Sequence, residues 1–139
     1  MKVSYRELLF DIVKIVKINI AAGIKKQVGV DGARYAYLKP ATVASKKRHG
    51  SPTPNMRMMD SGDFVDHALQ HTIKSNRLAE VYLSNNNHIS GDVTYNQIGN
   101  YNNDQRSYFF GISEDTSRKI DLAISKRIDQ TIEVVFSEL

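Results

Sequence analysis

The chain has 139 residues, 41% of them hydrophobic, with 19 basic against 15 acidic side chains for a net charge of +4, and it has no cysteine. That length suits one domain, residues 1–139, with a sizeable core, and the lack of cysteine excludes a disulfide scaffold, a thiol nucleophile and a thiolate metal site. The mild basic excess permits contact with nucleic acid without requiring it. Asp11, Lys14, Lys17 and Asn19 interrupt the N-terminal apolar stretch, so the sequence predicts neither a signal peptide nor a membrane span.

From Val3 to Ile24, apolar residues recur at Tyr5, Leu8, Leu9, Ile12, Val13, Val16, Ile20 and Ile24, the spacing of one helix face. Ser4 and Glu7 fit a capping box, and Gly23 with Lys25 and Lys26 fits a helix end. The β-branched run from Ile12 to Ile20 lowers helix propensity, so packing must hold this helix. Ile15 and Ile18 are expected to widen the apolar stripe beyond one core face, which makes them candidates for a subunit interface.

The segment Gly29-Val30-Asp31-Gly32-Ala33 predicts a turn. A short second helix starts at Pro40, where the missing N–H wastes no bond, and stops at Gly50. Lys46, Lys47, Arg48 and His49 crowd its C-terminal turn. There the helix dipole accounts for them without a ligand, and a phosphate or DNA contact by Lys46, Lys47 and Arg48 is the functional alternative. Ser51 to Met59 carries Pro52, Pro54 and Asn55 and predicts an exposed loop. Met56, Met58 and Met59 are either adaptable contacts for a neighbouring subunit or core gap-fillers.

Asp60-Ser61-Gly62 predicts a turn in which Asp60 or Ser61 accepts backbone N–H bonds and Gly62 takes an unusual φ, with Phe64 as apolar anchor. Alternation then predicts a β-hairpin: His67, Leu69, His71 and Ile73 on one face, a turn at Ser75-Asn76-Arg77, and Ala79, Val81 and Leu83 on the return strand. Tyr95 to Gly99 reads as a short helix or turn, Asn100 to Gln105 as a polar excursion, and Arg106 to Ile112 as a buried strand or extended segment packed on the hairpin. Ser113 caps a long amphipathic helix through Ile120, Ile124, Ile128, Ile132 and Phe136, whose end from Thr131 reads equally as strand. The predicted class is α+β: an N-terminal helix, a small antiparallel sheet and a long C-terminal helix.

Sequence chemistry is sparse. The chain carries no phosphate-binding loop, no nucleophile elbow and no His-Glu-x-x-His motif. Asp63, His67 and His71 stand at i, i+4 and i+8, and on a helix that set would suit zinc or iron. On the strand reading they are ordinary polar residues, and no metal, cofactor or catalytic residue is predicted. Asp121 and Asp129 are expected to form solvated ion pairs with Lys119, Lys126 and Arg127.

Four segments stand in a telling order: Leu38-Lys39-Pro40-Ala41-Thr42, then Asp60-Ser61-Gly62-Asp63-Phe64, then Tyr95-Asn96-Gln97-Ile98-Gly99, then Arg106-Ser107-Tyr108-Phe109-Phe110-Gly111-Ile112-Ser113. This set resembles the virion morphogenesis and tail-completion proteins of tailed bacteriophages, which read LKPSTxxxK, DTGxLxxS, YxxxxxxG and RPFLG(L/I)S in that order. The motif positions are Leu38, Lys39, Pro40, Asp60, Ser61, Gly62, Phe64, Arg106, Phe109 and Gly111. Ser61 replaces the usual Thr, Asp63 a usual basic residue and Ser107 the usual Pro. The resemblance implies a structural, non-enzymatic virion protein of the neck or tail, assembled in the host cytoplasm. It implies a ring, six copies by the symmetry of tail tubes, that caps the head-proximal end of the tube and docks the head connector, with genomic DNA passing through the lumen. The alternative from the residues themselves is a small basic DNA-binding module.

Overall fold

Helix α1 spans Arg6–Lys26 and buries Val13, Val16, Ile20 and Ile24, one stripe of the predicted face. The computed structural model describes residues 5–60, 62–87, 93–104 and 107–137, with side chains to 129. Tyr5 is the N-cap and makes no side-chain cap bond. The expected capping box rests on Ser4, which lies outside the described residues. Gly23 does not end α1. The helix runs three residues on and closes when Gln27 turns left-handed at φ 57°, with Val28 N–H bonding to Gly23 O at 3.0 Å. Gly23 matters by having no Cβ, which would stand 2.9 Å from that carbonyl oxygen of Val28.

The chain then folds back on itself. Val28 bridges Arg34 around the predicted turn, in which Gly32 takes φ +82° and Asp31 Oδ1 accepts the Ala33 N–H at 3.1 Å. Helix α2, Pro40–Arg48, starts on its proline as expected. The following 51–59 loop is not the exposed excursion that its prolines suggest. Arg57 is buried, and Met58 and Met59 pack against the core as gap-fillers. Gln27 clasps this loop from α1: its Oε1 accepts Arg57 N–H at 2.7 Å and its Nε2 donates to Arg57 O at 3.0 Å.

Helix α3 is one short turn, Asp63–His67, entered through Gly62 at φ +85°. Gly62 itself is the N-cap, and among the described residues no side chain caps the helix, so Asp60 does not play the expected capping part. Ser61 lies outside the described residues. Strands β1, Leu69–Ile73, and β2, Ala79–Leu83, pair antiparallel with Leu69 opposite Leu83 and Ile73 opposite Ala79. His67 belongs to α3 and not to the strand, because the buried positions Phe64, Ala68 and Leu69 follow a helical turn before alternation begins. Helix α4, Tyr95–Asp104, extends through the stretch expected to be irregular.

Residues 107–112 pair with no strand among the described residues. This segment is extended instead and held at two points: Ser107 N–H bonds to Asn102 O at 3.0 Å, and Tyr108 O accepts Val30 N–H at 2.8 Å. Helix α5, Glu114–Ser137, starts at Ser113, whose Oγ accepts Thr116 N–H at 3.1 Å. It stays helical through Thr131–Phe136. Arg127 reaches Glu7 and Asp11, both at 3.2 Å, and Lys119 reaches Asn19 at 3.0 Å, so α5 runs antiparallel to α1. The acidic partners are thus on α1 and on Asp115, not Asp121 or Asp129 as expected.

Between these layers lies one core of Val16, Ile20, Ile24, Tyr35, Phe64, Ala68, Leu69, Leu83, Tyr95 and Phe109. The architecture is α+β, with an N-terminal helix, a two-stranded antiparallel sheet and a long C-terminal helix. Gly62 gives the sharpest test of the turn that enters it. A side chain at φ +85° is strained by about 1 to 3 kcal/mol, a large share of a small domain's stability. Gly62→Val is expected to lower the denaturation midpoint accordingly; an unchanged midpoint would show that the glycine is not conformationally required.

Candidate functional site

The motif residues sit at places where the fold needs them. Pro40 opens α2 and Gly62 opens α3. Phe64 meets Phe109 edge-on at 5.8 Å between centroids and Tyr95 at 6.1 Å. Gly111 lies against Val30, whose methyl would meet a Cβ at 3.4 Å. Arg106 lies outside the described residues. Leu38 is half-buried, and Lys39 and Asp60 are exposed, so the packing and turn roles fall to Pro40, Gly62, Phe64, Phe109 and Gly111.

Ile15 and Ile18 are not equivalent. Ile18 stands two residues from both Val16 and Ile20, so at 3.6 residues per turn it points away from them. It is 65% exposed. It does not widen the buried stripe, as expected from sequence, but stands on the opposite face. Ile15 is half-buried and lies in the i, i+4 row of Asp11 and Asn19, both of which reach α5. On α5, Leu122 is 69% exposed, which gives the α1–α5 pair apolar knobs on its outer side.

A second apolar surface was not legible as one in the sequence. Leu9, Ile12, Val13, Val16 and Ile20 of α1 form one wall of an open groove of about 280 Å³; Ala79 and Val81 of β2 with Phe110 and Ile112 form the other. Ile112 at its rim is 60% exposed. The alternation of Ala79, Val81 and Leu83 announced an apolar strand face. Only the fold shows that α1 covers it incompletely.

Among the basic candidates, Lys47 and Arg48 are exposed, but Lys46 turns inward. Its Nζ donates to Met56 O at 2.5 Å and Met59 O at 2.7 Å, and burial pushes its pKa below the usual lysine range, while Asp60 pulls the other way. Lys46 is thus a staple of the 51–59 loop and does not join Lys47 and Arg48 on the exposed helix end.

The Asp63, His67 and His71 set is dispersed. His67 Nε2 lies 3.7 Å from Asp63 Oδ1, but His71, on β1, faces α1, with Nδ1 3.3 Å from Lys17 Nζ and its ring edge-on to Phe10. No group of three or more potential metal ligands converges among the described residues. Asp63 instead accepts a hydrogen bond from Tyr95 Oη at 2.7 Å, tying α3 to α4.

No protein-family model, curated protein or solved structure matches the chain. The family resemblance therefore stands on the motif residues themselves.

The Asp63–Tyr95 bond makes a pH prediction. That bond first, and burial second, push the Tyr95 hydroxyl up from 10.0 to about 12. A group whose pKa is higher folded than unfolded contributes stability that is fully present below the unfolded value and is lost as pH rises through the folded one. Between pH 10 and about 12 the native protein should lose thermal stability faster than Tyr95→Phe does. Parallel melting curves for the two proteins across that window would contradict the assignment.

Proposed function

We propose that the chain is a structural virion protein of a tailed phage, which assembles head to tail into a ring at the head-proximal end of the tail. The phage assignment is supported by the four ordered motif segments. Supporting it further, Pro40, Gly62, Phe64, Phe109 and Gly111 of the motif act in the fold as turn formers and core anchors, the parts expected of residues that shape a building block.

The assembly reading is carried by one observation: the subunit presents two non-equivalent apolar surfaces, the outer side of α1 and α5 bearing Ile18 and Leu122, and the groove rimmed by Ile112. A closed ring uses a heterologous interface, in which two different patches of each subunit meet. Knobs on one subunit and a groove on the next satisfy that requirement, whereas a twofold dimer would need one self-complementary patch. Six copies, the tail tube and the connector as neighbours, and DNA in the lumen follow from the family resemblance.

Ile18 and Ile112 are both largely exposed in the subunit, so Ile18→Glu and Ile112→Asp should leave its fold intact. At an interface each would bury an unpaired charge, at a cost of several kcal/mol per contact. Sedimentation velocity and negative-stain images should show rings for the native chain and folded monomers for each variant. Mixing the two variants leaves one intact knob and one intact groove per pair, so it should give heterodimers and no rings. Rings that persist in both variants would place the interface elsewhere, and a native chain that stays monomeric at high concentration would remove the ring reading.

A further inference from the structure

A pocket of about 330 Å³ opens between Ala36–Lys39, α2, residues 56–58 and the Tyr101–Asn102 turn of α4. Lys39, Thr42 and Lys46 line it at i, i+3 and i+7, one face of α2. Arg57 forms its floor and is only 7% exposed. The Arg57 guanidinium donates from Nε to Ala36 O at 2.6 Å, from Nη1 to Asn102 Oδ1 at 3.2 Å and from Nη2 to Tyr37 O at 3.3 Å.

Every one of these acceptors is a neutral oxygen. Among the described residues, no carboxylate forms an ion pair with Arg57. Arginine carries five N–H donors, so two remain beyond the three bonds. Lys46 repeats the pattern, with two of its three donors on the carbonyls of Met56 and Met59. Asp60, the carboxylate that acts on Lys46, lines a separate smaller cavity with it and does not line this one. The first turn of α2 adds no acidic side chain either. A buried cation without a counter-ion is costly, and here one buried and one half-buried cation border a single cavity with Lys39 at its mouth.

We propose that this pocket binds a phosphate group, held by the free donors of Arg57 and Lys46 and by the Lys39 ammonium. Three cations around one cavity match the charge of a phosphate better than that of a single carboxylate. Charge-assisted bonds to phosphate oxygens are the strong members of their class. Tyr37 and Tyr101, 90% and 55% exposed at the rim, offer phenol hydroxyls and ring faces to whatever carries the phosphate. The site is independent of the ring reading, since none of its residues belongs to either apolar surface.

The probe is sodium phosphate at pH 7.5, titrated calorimetrically and by thermal melting into the full chain, with sodium chloride holding ionic strength constant. The expected result is a saturable heat and a saturable rise in Tm. Lys39→Glu reverses a charge on an exposed side chain and should weaken phosphate binding about tenfold or more while melting like the native chain in chloride. Lys46→Met, which keeps the aliphatic stem, should abolish it; if that variant does not fold, Lys39→Glu decides alone. A 5′-phosphorylated oligonucleotide and its 5′-hydroxyl twin then identify the source. Displacement of phosphate by the first alone assigns a terminal monoester, displacement by both assigns the nucleic-acid backbone, and displacement by neither assigns free phosphate; each supports the pocket. No saturable heat, or a phosphate response that Lys39→Glu retains in full, would overturn the proposal.

Discussion

The burial of Phe109 is the contact on which the other elements depend. Its side chain is 1% exposed, edge-on to Phe64 at 5.8 Å and to Phe110 at 6.1 Å. Gly99 on α4 leaves the space it fills: a Cβ there would stand 3.0 Å from the Phe109 ring and would collide with Leu83 of β2. One residue earlier, the Tyr108 carbonyl ties the same segment to Val30 and the fold-back after α1. Helix α3, helix α4, the hairpin and the turn after α1 thus meet around residues 108 and 109. Truncating a buried phenylalanine costs about 3 to 5 kcal/mol, of the same order as the whole stability of many domains this size.

The parts of the fold that were legible in the sequence are those whose signal is periodic or local. The i, i+4 isoleucines gave α5, the alternation around Leu69 and Val81 gave the hairpin, Pro40 marked the start of α2, and Gly62 marked a turn with an unusual φ. Illegible were features that depend on a partner far along the chain. Arg57 looks exposed among prolines and methionines, yet three of its guanidinium donors are met by carbonyls about 20 residues upstream and by Asn102 of α4. Residues 107–112 have strand-forming composition but pair with no strand among the described residues; two backbone hydrogen bonds and the Phe109 and Phe110 rings hold them instead. The β-branched end of α5 stays helical although its composition favours a strand.

The same distinction governs the surfaces. Ile18 was recognised as surplus apolar surface, but its direction, opposite the core stripe, follows from helix geometry that counting apolar residues does not weigh. The groove beside Ile112 needed three elements to be placed together before it existed. Its walls are set by the Phe109 segment, because Phe110 and Ile112 extend from the buried ring toward α1. The apolar groove and the basic pocket are therefore two products of one core: the 107–112 segment shapes the first, and the Gln27–Arg57 clasp shapes the second.

That dependence can be measured in the Phe64–Phe109 pair by a double-mutant cycle, using denaturant unfolding of the native chain, Phe64→Leu, Phe109→Leu and the double variant. Edge-on aromatic pairs couple by about 0.5 to 1.5 kcal/mol beyond the area they bury. A coupling energy in that range is the result predicted if the two rings hold the core as one unit. Single-variant losses that add to within about 0.3 kcal/mol would show that Phe109 is buried without organising what surrounds it.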